Sequence, residues 1–189
     1  MLSPPLPLAG EGGGGWGVNP DVRERARRIR LVAMDVDGVL TDAGMYYTER
    51  GDELKKFNTR DGMGVARVRA AGLKTAILTG ESTQLVQRRG EKLKIDHIFI
   101  GVSDKLTCMR NLLEGLGLTL DQVAYIGDDV NDYELLCNVG LAVAVRDASR
   151  LPKSVAHLIT EAKGGEGAVR ELCEIILEAH HEQPPLPEA

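Results

Sequence analysis

Five short apolar runs recur along the chain, each bounded by Gly, Asp or Ser: LVAMDV (31–36), KTAILTG (74–80), HIFIG (97–101), QVAYIGD (122–128) and GLAVAV (140–145). Runs of this length, rich in Val, Ile and Leu, read as strands buried on both faces. Between them apolar residues fall at helical spacing, as in Leu85, Leu93 and Ile95 after Thr79, or Leu106, Met109, Leu112, Leu113 and Leu116 after Asp104. Strand and helix alternating in this way predict an α/β domain, a doubly wound and mostly parallel sheet covered by helices. GMYYTERGDELKKF (44–57) breaks the rhythm with two β-prone pieces around Glu49-Arg50-Gly51-Asp52, which predicts a projecting β-hairpin too short to be a second domain.

The chain has 189 residues, 43% of them hydrophobic, enough for one domain with a substantial core. That domain is expected over residues 23–180. Residues 1–20 hold six glycines and four prolines without a hydrophobic period, so 1–22 is expected to be a disordered tail, and 181–189, ending in HEQPPLPEA, a flexible one. Arg23, Arg25, Arg27, Arg28 and Arg30 read as a solvated helical lead-in. No window approaches eighteen consecutive apolar residues and the start lacks the order of a signal peptide, so no membrane association and a cytoplasmic location are expected. With 23 basic against 28 acidic residues the net charge is −5, which argues against a nucleic-acid partner. Cys108, Cys137 and Cys173 form neither a disulfide framework nor a CxxC clip, and the four histidines show no ligand spacing.

The acidic residues sit where a parallel sheet binds ligands, outside the carboxyl ends of its strands. Asp35 and Asp37 close the first run, on one side of the strand by their i, i+2 spacing, and Gly38 lets the backbone turn. Thr79-Gly80 ends the second run, Gly101 with Ser103-Asp104-Lys105 follows the third, and Gly127-Asp128-Asp129 ends the fourth. Each fragment alone is a common cap, turn or surface residue. Together they bring four carboxylates to one edge, where like charges about 4 Å apart repel by roughly 4 kcal/mol at an effective dielectric near 20. A divalent cation relieves that repulsion, and oxygen-only donors favour Mg²⁺ and hence phosphate-bearing substrates.

DVDGVLTD (35–42), LTG (78–80), DKL (104–106) and GDDVND (127–132) resemble the four ordered motifs of the haloacid dehalogenase superfamily, in its phosphatase form. The resemblance implies a Rossmannoid fold with Asp35 as nucleophile and Asp37 as general acid/base. It further implies that Thr79 and Lys105 hold the phosphoryl group and that Mg²⁺ is bound by Asp35, the carbonyl of Asp37 and Asp128. Asp129 and Asp132 would be supporting acids. The segments between the motifs leave no room for an inserted cap domain, so another subunit is the expected source of the missing wall.

GMYYTERGDELKKFNTRDGMGV (44–65), QVAYIGDDVND and GGEGAVRELCE (164–174) further resemble the capless phosphatases of 2-keto-3-deoxy sugar acids. That branch implies a homotetramer with sites completed by a neighbour, and a phosphorylated sugar acid as substrate. TGE with Glu81, Arg89 and Lys92 is similar to the nonulosonate 9-phosphate members rather than the octulosonate 8-phosphate members, which implies a lean to the nine-carbon substrate. The same three charges also suit an ordinary helix surface. Arg60 is a further candidate for phosphate or sugar contact, or a partner of Asp61, with Gly80 beside them. Gly164-Gly165-Glu166-Gly167 reads either as a flexible entry to the last helix or as a segment approaching a neighbouring site. Two rival readings are a phosphoacceptor signalling domain, which accepts phosphate on an Asp after the third strand, and a non-catalytic partner module of sugar-acid synthesis.

Overall fold

The computed structural model describes residues 17–181 apart from Asp52. Within them α1 (Pro20–Arg28), β1 (Leu31–Met34), the β2–β3 hairpin (Tyr46–Tyr47 and Glu53–Leu54), α2 (Thr59–Ala70), β4 (Lys74–Leu78), α3 (Gln84–Lys92) and β5 (His97–Phe99) form the first half. The second half is α4 (Lys105–Leu116), β6 (Val123–Gly127), α5 (Tyr133–Leu136), β7 (Leu141–Ala144), α6 (Arg150–Val155), β8 (Leu158–Ile159) and α7 (Ala168–His181). The main sheet is parallel with order β5-β4-β1-β6-β7-β8, so the chain winds outward in both directions from β1.

Alternation along the central strands explains the layers. Leu31, Ala33 and Tyr125 face α4 and α5 through Met109, Leu113, Leu135 and Leu136, whereas Val32, Met34 and Ile126 face α1, α2 and α7. Each fully buried Leu or Ile contributes about 1.5–3 kcal/mol, and β1 and β6, enclosed on both faces, carry no charged residue, the acids coming only after their last positions. Helix entries are capped locally: Asn19 accepts from Asp21 N, Asn58 from Arg60 N, Thr83 from Leu85 N and Asp104 from Thr107 N. Gly117, with φ 65°, closes α4 in the left-handed region.

The predicted hairpin is present, pairing Tyr46 with Leu54 and Tyr47 with Glu53. Two boundaries differ from expectation. The arginine-rich lead-in is helical from Pro20, because Asn19 caps it and Pro suits the first turn, so the expected tail edge at 22 falls inside α1; residues 1–16 and 182–189 lie outside the described residues. The sixth strand, β8, is only two residues long and pairs with β7 at the sheet edge, too short for a periodic signal.

Candidate active site

The turn after β1 is built by its own backbone. The Val36 carbonyl accepts the amides of Val39, Leu40 and Thr41 at 3.2, 2.9 and 3.0 Å, folding the chain back while Asp35 N donates to Ile126 O at 3.1 Å and so ties the turn to β6. Gly38 sits at φ +77°, and a Cβ there would lie 2.0 Å from Asp128 Oδ2. Glycine is thus required twice, for the left-handed backbone and for the close approach of the β6 acid. The GGEG segment braces the same turn from behind: Gly165 N donates to Val39 O at 2.9 Å, Asn58 Nδ2 donates to Gly165 O at 3.1 Å, and a Cβ on Gly164 would lie 1.7 Å from Gly38 O. Within this chain, then, Gly164 and Gly165 serve their own site.

Asp35, Lys105 and Asp132 are 3%, 3% and 0% exposed. Lys105 Nζ lies 2.7 Å from Asp35 Oδ2 and 2.6 Å from Asp132 Oδ1. Asp132 Oδ1 also accepts from the Tyr125 hydroxyl at 2.6 Å, and its Oδ2 accepts from Asp128 N at 2.9 Å and Asp129 N at 3.3 Å. Asp35 Oδ1 accepts from Val36 N at 2.7 Å. One oxygen each from Asp35, Asp128 and Asp132 lies within 4.8 Å of the others, a spacing that suits a metal ion. Asp132, however, already receives four hydrogen bonds, two on each oxygen, and acts as the anchor of the cluster rather than its open ligand.

Burial pushes the Asp35 carboxyl up to about 7, aided by the charge of Asp132 and opposed by Lys105. Asp128 rises to about 8, again through burial first and then the charges of Asp35 and Asp132. Burial pulls the Lys105 ammonium down, but Asp35 and Asp132 outweigh it and hold its pKa above the usual lysine value. Lys105 alone does not offset the burial and mutual repulsion of Asp35, Asp128 and Asp132, an environment that favours a bound cation.

Asp35 and Asp128 open onto a cavity of about 290 Å³, lined also by Asp37, Thr79 and Asp129 together with Gly80, Glu81, Asn131 and Ala43. Thr79 is buried, and its Oγ1 accepts from Glu81 N at 3.2 Å, leaving the hydroxyl proton to be donated. Asp129 caps the turn at Val130–Asp132 by accepting from Val130 N at 2.8 Å.

Three candidates fall outside this group. Arg89 Nη2 donates to Asn58 O at 2.9 Å with its guanidinium 5.3 Å from the centre of the Phe57 ring, so it ties α3 to the start of α2. Lys92 is exposed at the last turn of α3, and Arg60 is exposed on the first turn of α2; neither lines the cavity. Asp61 is not Arg60's partner: buried, it accepts from Arg170 N at 2.9 Å and caps α7 across the fold. Sequence reasoning missed Lys55, whose Nζ lies 2.5 Å from Asp37 Oδ1. It also missed Tyr125, which the strand pattern presents as core, and Asn131, which stands within the quoted GDDVND motif.

The family model described as haloacid dehalogenase-like hydrolase matches residues 97–172. The chain is 46% identical over 160 residues to 3-deoxy-D-manno-octulosonate 8-phosphate phosphatase KdsC of Yersinia pestis, covering 85% of this chain and 86% of that protein. It belongs to the haloacid dehalogenase-like hydrolases. Among solved structures, a probable YrbI family phosphatase from Pseudomonas syringae superposes with TM-score 0.84 at 47% identity, covering 86% of this chain and 92% of that one. The octulosonate 8-phosphate phosphatase of Moraxella catarrhalis, solved with magnesium, phosphate and KDO, superposes with TM-score 0.84 at 40% identity, covering 85% and 92%. Within the family these likenesses assign the chain to the capless sugar-acid phosphatase branch, the fold and enzyme class expected from the four motifs. The hydrolase order also counts against the signalling-domain rival: β5 ends at Phe99, and the first acid after it, Asp104, five residues on, is occupied in capping α4, where it accepts from Thr107 N at 2.9 Å.

Proposed function

We propose that this chain hydrolyses the terminal phosphate monoester of a 2-keto-3-deoxy sugar acid, with 3-deoxy-D-manno-octulosonate 8-phosphate as its substrate. The observation that carries the reading is the meeting of Asp35, Asp128 and Thr79 at the ends of β1, β6 and β4 around one cavity, with Lys105 at the start of α4 held 2.7 Å from Asp35. The eight-carbon choice is supported by the named activity of relatives in Yersinia pestis and Escherichia coli at 46% and 44% identity. The nine-carbon lean rested on Glu81, Arg89 and Lys92. Of these Glu81 alone lines the cavity, so the triplet does not act as one recognition unit within the chain.

The donor set fits a hard divalent cation, since Asp35 and Asp128 offer oxygens at close spacing and both are pushed toward neutrality without one. Asp35, Asp128 and the backbone carbonyl of Asp37 would hold Mg²⁺, which supplies charge neutralisation at the phosphoryl oxygens. Asp35 attacks phosphorus, an oxygen–phosphorus bond forms on its carboxylate, and the bond to the sugar oxygen breaks. Asp37 gives that oxygen a proton and later takes one from the water that cleaves the acyl phosphate, a role typically worth about 10²–10⁴-fold. Lys105, held by Asp35 and Asp132, and the Thr79 hydroxyl stabilise the oxygens of the transferring group.

Assembly as a homotetramer with neighbour-completed sites is supported by the hairpin, where Met45, Tyr46, Tyr47 and Leu54 are all exposed, Tyr47 by 65%. Among the described residues no helix is long and apolar enough to cross a membrane; the cysteines are free thiols, which favours a cytoplasmic enzyme. The test is a side-by-side Mg²⁺-dependent assay on octulosonate 8-phosphate and nonulosonate 9-phosphate, with sedimentation to count subunits. Preference for the nine-carbon ester would overturn the substrate choice, and an efficient monomer would remove the shared site.

A further inference from the structure

Lys55 is the cation that the sequence motifs do not explain. Its residue follows β3, in the second arm of the hairpin, yet its side chain is fully enclosed. The ammonium lies 2.5 Å from Asp37 Oδ1, 3.5 Å from Glu53 Oε1 and 3.8 Å from Met45 Sδ. Asp37 Oδ2 is buried with no hydrogen-bond partner among the described residues. One carboxylate oxygen is therefore fixed by a charge-assisted bond, and the other remains free to exchange a proton. Ion pairs on exposed surfaces hold little, but a side chain shielded on all sides keeps its partner in one orientation.

We propose that Lys55 is a positioning residue for proton transfer: by holding Asp37 Oδ1 it aims Oδ2 at the departing sugar oxygen. The inference rests on Asp37 being the general acid/base. When the bond from phosphorus to the sugar oxygen breaks, the electron pair stays on that oxygen and the proton of Asp37 Oδ2 neutralises it; the hairpin sets the geometry of that transfer. In a chain with no inserted cap, a hairpin residue thus performs an alignment that a covering domain would otherwise provide. The hairpin also exposes Tyr46, Tyr47 and Leu54, so the same element that reaches Asp37 is the one available for contact with another subunit.

The test compares Lys55→Met, Lys55→Arg and Asp37→Asn in the full chain with Mg²⁺ on two esters, octulosonate 8-phosphate and p-nitrophenyl phosphate. The readout is kcat/KM, which reports the steps through phosphoenzyme formation. p-Nitrophenolate leaves without a proton, whereas the sugar alkoxide does not. Lys55→Met is expected to lower kcat/KM on the sugar ester by about 10²-fold while retaining it within about threefold on the aryl ester. A burst of nitrophenolate should precede slow turnover, and Lys55→Arg should recover most of the loss. A merely structural role would lower both esters alike and leave the ratio unmoved, which overturns the proposal. Leaving-group discrimination in Asp37→Asn but not in Lys55→Met overturns the Lys55 role alone. Absence of discrimination in Asp37→Asn overturns the acid/base reading and the proposal with it.

Discussion

Replacing Asp132 by Asn separates two meanings of the acidic cluster. If Asp132 were one of three repelling carboxylates, its neutralisation would relieve Asp35 and Asp128, whose carboxyls its charge helps push up, and the metal-free protein would gain stability. The hydrogen bonds point the other way. Asp132 accepts from Lys105, Tyr125, Asp128 N and Asp129 N. An amide has one acceptor oxygen, so its NH₂ must face two of those four donors whichever way it is turned. Leaving two buried donors unmet, each at about 1–3 kcal/mol, offset by some relief of repulsion, predicts a net loss of about 2–5 kcal/mol. For a chain of this size each kcal/mol moves the midpoint by roughly 2–4 °C, so the melting temperature should fall by roughly 4–20 °C. The assay is thermal denaturation by circular dichroism with EDTA at pH 8. An unchanged or raised midpoint would refute the anchor role.

Gly38→Ala should abolish turnover and Mg²⁺ binding by calorimetry, because its methyl meets Asp128 Oδ2 at 2.0 Å and the backbone is left-handed there. Gly164→Ala, more than a hundred residues away in sequence, should lower kcat at least about tenfold by pressing on the Gly38 carbonyl; wild-type kcat would contradict the bracing role. Asp35 and Asp128 are raised to about 7 and 8, so the folded state binds protons more tightly than the unfolded chain, and their contribution is present at acid pH and lost as pH rises through 7–8. Urea denaturation in EDTA should then show lower stability from this pair at pH 8.5 than at pH 5.5, with Mg²⁺ stabilising more at the higher pH; the reverse trend would count against it. Arg89→Ala should lower the melting temperature while leaving the ratio of activity on eight- and nine-carbon esters unchanged, since Arg89 binds Asn58 O rather than lining the cavity.

What the sequence made legible follows from parallel-sheet geometry. Asp35, Thr79, Lys105 and Asp128 each lie where a strand ends or the next helix begins, and a βα order sends all such positions to one edge, so their meeting could be read without coordinates. The hairpin was legible for a similar local reason, as Gly51 at φ +85° closes its turn. Lys55 was not, because its pairing with Asp37 depends on how the hairpin folds back over the turn after β1, which no periodicity encodes. Tyr125 looked like core and is core, fully buried in β6; its function resides in one hydroxyl that meets Asp132. Arg89 illustrates the opposite error, since a charge at the right spacing for recognition is spent on a backbone carbonyl and an aromatic ring. Gly164 could be read two ways, and only the approach to Gly38 O chooses between them.

The phosphoryl acceptor is the centre of the account, and rapid acid quench of a single turnover tests it most directly. With octulosonate 8-phosphate radiolabelled in its phosphate and Mg²⁺, the label should appear transiently as a hydroxylamine-sensitive acyl phosphate on the peptide that contains Asp35, and neither label nor turnover should survive Asp35→Asn. Phosphate released by an Asp35→Asn enzyme, or label found on another residue, would contradict it.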